Sequence, residues 1–167
     1  MLHRRRQHPL LHQEFEIDQA TFALFEVEAQ AIAPIEFVAH PPIEPYRVEV
    51  TQPSHPLVAG IEPFDASDEL YLMELHPPFE TLLHTRWHGE AKGFAERDWS
   101  TDEPRPVMYL KKVGAGEVLY FTLGHARGHY DMRPLMDEYP TVERGSWPVP
   151  AFNELLRRSL RWAAGLD

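Results

Sequence analysis

The chain contains no cysteine. Disulfides, thiolate metal ligands and cysteine nucleophiles are therefore excluded together. It contains no run of 18 apolar residues either, so no membrane-spanning helix is expected. Positive charge is in short supply: 16 Lys and Arg face 26 Asp and Glu, a formal net charge of −10. A nucleic-acid backbone demands a basic face, so that class of partner is not expected. The balance suits a small neutral ligand or a basic partner and does not choose between them. Glycine is sparse, with 9 residues, and the first is Gly60.

What is present points to one folded domain. A chain of 167 residues that is 43% hydrophobic can bury a core without staples. The opening "MLHRRRQHPLLHQ" is basic but lacks a following apolar region and a small-residue cleavage site. It does not read as a secretory signal, and the cytoplasm is the expected location. The 16 prolines cluster at 34–63 and 134–150, which marks those stretches as rich in turns.

Periodicity places most of the elements. "TFALFEVEA" at 21–29 is compatible with a strand or a helix, and "IEFVAH" is a short strand stopped by Pro41 and Pro42. "YRVEV" at 46–50 alternates, with Tyr46, Val48 and Val50 on one face. "SHPLVAGI" predicts a short helical turn capped by Ser54 and ended by Gly60, with His55 at its start rather than in a ligand set. "DELYLMEL" at 68–75 reads as one strand, apolar on both faces, and "ETLLHTRW" as another. Residues 106–123 predict a hairpin turning at 114–116, where Gly114 and Gly116 supply positive φ. Residues 150–164 predict a helix with Pro150 in its first turn, Gly165 at its stop, and Phe152, Leu155, Leu156 and Leu160 facing the core beside Trp162.

The richest chemistry lies in "LGHARGHYDMRP", directly after the apolar run "EVLYFTL". His125 follows a strand and Gly124. Histidine titrates near neutrality, so a proton-transfer role is open; so is a bland one, capping the loop. His125 and His129 are weak candidates for a zinc site. Their spacing suits a metal on a helix, but the glycines at 124 and 128 argue against a regular helix, and a third protein ligand is needed. Asp68 and Glu69 open "DELY"; adjacent strand residues face opposite ways, so only one reaches a given cleft. The stretch 136–148 reads as a long loop of the lid or interface kind, and Arg127, Arg133 and Arg144 are placed to meet a carboxylate or sugar hydroxyls, or to offset nearby acids.

Four segments in order, "HPLVAGIEPF", "DELYLMEL", "PVMYLKKVGAGEVLYFTLGHARGHYD" and "FNELLRRSLRWAAG", resemble the ThuA-like (trehalose-utilisation) family over 46–165. The resemblance implies an α/β fold of the class I glutamine amidotransferase kind. That fold is a flavodoxin-like three-layer architecture with a parallel sheet, expected here to be incomplete at the N-terminus and to carry a late β-hairpin and a C-terminal helix. Residues 1–45 show neither the expected first strand nor a "GG" strand and loop, and are expected to be a divergent or truncated segment before a ThuA-like domain at 46–167. The resemblance also implies a role in carbohydrate metabolism, with 3-keto-disaccharides or related sugars as substrates. A late-strand histidine holds the site of the similar amidotransferases, although without cysteine their reaction is not expected here.

Two readings follow. In the first, His125 and Glu69 are catalytic, and Asp68, Arg127, His129, Tyr130 and Asp131 bind a sugar. In the second, the chain is a non-catalytic sugar-binding or assembly protein derived from the family. No cofactor is expected beyond the weak zinc option, and no membrane partner. An uncovered apolar sheet edge is an association hazard, so a homo-oligomer is expected.

Overall fold

A computed structural model describes residues 35–91, 99–126 and 143–166. Among these residues the elements are β1 (Ile35–Ala39), β2 (Glu44–Val50), β3 (Phe64–Asp68), β4 (Leu72–Leu75), β5 (Glu80–Arg86), β6 (Pro104–Val113), β7 (Gly116–Phe121) and a helix, α1 (Pro150–Ala163). The chain is thus of mixed α and β structure. β1 and β4 form a two-stranded ladder, and the other strands form a sheet in the order β3-β2-β5-β6-β7. Every described pairing is antiparallel. A parallel ladder needs a long crossover, usually a helix, between its strands. The described helix instead follows the last strand, and β6 turns into β7 with only two residues between the paired ends Val113 and Gly116.

Local chemistry explains these elements. In β2, Val48 is buried and Tyr46 and Val50 are half-buried on one face, while Arg47 and Glu49 face solvent. β6 is buried at every position from 105 to 110, on both faces at once. One face meets the main core of Val48, Val58, Leu82, Leu83, Phe152 and Leu155. On the other, Tyr109 packs with Met73 of β4 and stacks on Tyr120 at 5.2 Å. A strand covered on both sides reads as a near-continuous apolar run, as "PVMYL" does.

The hairpin forms where the sequence places it, but Gly114 alone supplies a positive φ, +59°. Ala115 and Gly116 do not adopt one. A two-residue turn of this hand needs the glycine only at its first central position.

"DELYLMEL" is not one strand. Asp68 ends β3, residues 69–71 cross over, and β4 starts at Leu72. β3 itself, "FDASD", has only Ala66 and Asp68 buried, so its polar pattern hid it. Residues 53–60 form turns that include one helical turn, Ala59 N to His55 O at 2.8 Å, ended at Gly60 with φ +70°; the side chain that receives a backbone hydrogen bond there is His55, whose Nδ1 accepts from Leu57 N at 3.3 Å, not Ser54.

Helix α1 begins with Pro150 in its first turn and buries Phe152 and Leu155. It ends in paired backbone bonds, Leu166 N to Arg161 O and Gly165 N to Trp162 O, both 3.0 Å, with Gly165 at φ +63°. This is a Schellman stop. Leu156 and Trp162 are half-buried against the core, but Leu160 is 63% exposed. The inward stripe runs 152-155-159-162, and at about 100° per residue position 160 falls well to its side. Leu160→Ala is therefore expected to change the unfolding free energy by less than about 0.5 kcal/mol. Urea denaturation checks this; a larger loss would mean that this face is covered in solution.

One consequence of the strand order positions the site. Four antiparallel steps separate β3 from β7, so both edge strands run the same way. Their carboxyl ends nevertheless meet, because Asp68 at the end of β3 accepts a hydrogen bond from Gly124 N just beyond β7. The sheet curls until its two edges converge at that end.

Candidate functional site

Asp68 is the centre of the convergence. Its side chain is fully buried and collects hydrogen bonds from three separate segments. Oδ1 accepts from Glu69 N at 2.8 Å and from His125 N at 3.3 Å. Oδ2 accepts from Gly124 N at 2.8 Å and Ser146 N at 3.0 Å. The imidazole of His125 adds its Nδ1, 2.7 Å from Oδ1. Burial alone works to raise the Asp68 carboxyl. The hydrogen bonds from His125, Gly124, Ser146 and Glu69 together outweigh it and hold the group below its ordinary value. Asp68 is thus an anion held out of water by directed N–H groups.

That orients the imidazole. An ionised carboxylate can only accept, so Nδ1 of His125 carries a hydrogen, and in the neutral ring Nε2 then presents its lone pair. The phenol of Tyr71 lies 2.7 Å from Nε2 and donates to it in that neutral form, with the two rings 4.7 Å apart. Phe37 packs against Tyr71 with ring centroids 4.6 Å apart. The carboxylate of Glu69 stands 3.9 Å from Nε2, beyond direct hydrogen-bond distance. A second tyrosine, Tyr46 of β2, lies under the same charge. Burial, and then the Asp68 anion, push its phenol up, so it keeps its proton throughout the ordinary range.

The segment 143–149 closes the site from the helix side. Trp147 Nε1 donates to the Gly124 carbonyl at 2.9 Å, and its ring meets Phe152 of α1 edge-on at 5.3 Å. A cleft of about 410 Å³ opens beside the Asp68–His125 pair, lined by Ser67, Asp68, His125, Glu143, Arg144 and Pro148 among others. Its size falls within the range of about 300–1,000 Å³ usual for small-molecule sites. The imidazole is 26% exposed, so it is reachable while Asp68 is not.

Of the residues singled out from the sequence, Asp68, Glu69 and His125 come together, and Arg144 lines the same cleft. Arg127, His129, Tyr130, Asp131 and Arg133 lie outside the described residues. Among the described residues, no three His, Asp or Glu side chains converge as metal ligands. Sequence reasoning missed Tyr71, which it treated as a strand residue, and Ser67, Glu143 and Gly145. Nothing in the sequence pattern marked Tyr71; in the structure the break between β3 and β4 lets it turn toward His125.

Set beside known families, the chain matches the ThuA model, described as "Trehalose utilisation", over residues 20–138. The matched span includes part of the segment 1–45 as well as β1 to β7 and His125. No curated protein matches the chain, and no solved structure does.

Proposed function

Since the chain belongs to the ThuA family of trehalose utilisation, we propose that it acts on a carbohydrate, with 3-keto-disaccharides or related sugars as its substrates and His125 as the group that moves a proton. The observation that carries this reading is the ordered series Asp68–His125–Tyr71, with 2.7 Å at both contacts. A buried anion on Nδ1 fixes the tautomer and stabilises the imidazolium that forms when Nε2 takes a proton. A substrate group entering from the cleft takes the place of the Tyr71 hydroxyl at Nε2. For a 3-keto sugar that group is the acidic C–H beside the carbonyl. Nε2 accepts the proton, the electron pair moves toward the carbonyl oxygen, and the imidazolium returns the proton in a later step. In this reading Asp68 stays ionised throughout and is an orienting group, and Glu69, beside Nε2, and Arg144, in the cleft, meet sugar hydroxyls. The flavodoxin-like three-layer architecture belongs to the same proposal and is supported by family membership alone, because the described ladders are antiparallel.

The test is His125→Gln, assayed with 3-keto-trehalose by following its consumption by NMR. Turnover is expected to fall by about 10²–10⁴-fold. The melting temperature should move by only a few degrees, because Asp68 keeps its backbone donors. A variant as active as the parent would remove His125 from the chemistry. Binding of the sugar by the parent protein without turnover would assign the cleft to binding alone.

A further inference from the structure

We propose that Glu143 determines which ligand this cleft accepts: its carboxyl oxygen Oε2 receives a hydroxyl hydrogen from the ring of the bound sugar. The inference rests on the carbohydrate reading above and adds to it a selecting residue that plays no part in the proton transfer.

Glu143 lines the cleft together with Asp68 and His125. Its Oε2 has lost its contact with solvent, and among the described residues it has no hydrogen-bond partner. Native structures satisfy nearly all such atoms, and an exception in a cleft points to a donor that arrives from outside. Asp68, in the same cleft, shows the contrast, since both of its oxygens are filled by the protein itself. The terminal carboxyl torsion of a glutamate is broad and two-fold, so reorienting the carboxyl toward an arriving donor costs little.

The neighbours narrow the donor to a hydroxyl. Arg144 and Ser67 line the same space. A guanidinium only donates, a serine hydroxyl does both, and a carboxylate only accepts. A group that both donates and accepts satisfies all three, and a sugar hydroxyl does so. An anionic ligand group would have no hydrogen to offer Oε2. The expected specificity is also directional. A site built around a buried acceptor rejects an analogue lacking the hydroxyl, because the acceptor is left unpaired again.

Glu143→Ala separates this role from a structural one. An unpartnered buried oxygen contributes nothing to the empty protein, so its removal should leave the melting temperature unchanged or raise it. Trehalose binding, measured by calorimetry, should weaken at least tenfold. Among monodeoxy trehaloses, one position should cost the parent protein tenfold or more and cost the Glu143→Ala variant nothing further. If the parent binds trehalose and the variant binds it equally well, or if the variant loses stability and affinity together, the selecting role of Glu143 is wrong while the carbohydrate reading stands. If the parent binds neither trehalose nor 3-keto-trehalose, the carbohydrate reading fails and this inference fails with it.

Discussion

Asp68→Ala is expected to lower the unfolding free energy by about 3 kcal/mol and to remove activity altogether. The stability loss comes from the donors left behind. Glu69 N, Gly124 N and Ser146 N all point at the missing carboxylate. A buried donor without an acceptor costs about 1–3 kcal/mol, and water entering the vacated space recovers part of that. The activity loss has a separate origin: without the anion on Nδ1, neither the tautomer of His125 nor its imidazolium is stabilised. The two effects are separable by pH. The carboxyl of Asp68 titrates lower in the folded protein than in the unfolded chain. Its ionised form therefore adds stability that is complete above the ordinary aspartate value, about 4. That stability drains away as pH falls through the lowered folded value. The gap in unfolding free energy between parent and Asp68→Ala should narrow as pH falls below about 4, where the carboxyl itself takes up its proton. Urea denaturation across that range measures it. A gap that widens as pH falls below about 4 would show that the buried carboxyl is protonated in the native protein.

How much of this could be read without coordinates differs by element, for physical reasons. The β6–β7 hairpin and α1 were legible because each carries its own local signal: apolar runs around a glycine turn in one, a helical apolar stripe opened by Pro150 in the other. Leu160 was misplaced because its spacing from Leu156 fits a helix face, while the stripe that packs is set by Phe152 and Leu155. β3 was invisible, since "FDASD" buries only alternate residues and one of those is an aspartate. That single omission also distorted the site. A residue that starts a strand and one that ends a parallel neighbour lie at opposite edges of a sheet; as the end of β3, Asp68 arrives at the edge where β7 also ends. The nearness of Asp68, Glu69 and His125 was anticipated, but the partner on each imidazole nitrogen was not. Nothing in a linear pattern indicates that a sheet will curl far enough to bring residues 68, 71, 125 and 146 into one hydrogen-bonded group.

Gly145→Ala should be more damaging than Gly60→Ala or Gly114→Ala, and the reason is contact rather than conformation alone. Gly145 has φ +47°, where a residue with a Cβ is strained by about 1–2 kcal/mol. Gly60 and Gly114 have comparable angles, +70° and +59°, and a Cβ on either would meet nothing within 4 Å. At Gly145 the same Cβ would collide with the carbonyl oxygen of His125 and stand 2.9 Å from Asp68 Oδ2. Neither obstacle can yield cheaply, because one is backbone and the other is a buried carboxylate held by its donors. Relief requires the 143–149 segment to move away, which withdraws Ser146 N from Asp68 and disturbs the cleft wall that carries Glu143 and Arg144. Gly60→Ala and Gly114→Ala should each cost about 1–2 kcal/mol, the conformational part alone. Gly145→Ala should cost at least about 3 kcal/mol, since overpacking a well-filled site adds roughly 1–3 kcal/mol to that strain. It should also reduce turnover of 3-keto-trehalose, which the other two leave unchanged. Urea unfolding of the three variants in parallel isolates the contact from the backbone term. Equal losses at positions 60, 114 and 145 would show that the loop does not press against Asp68 in solution.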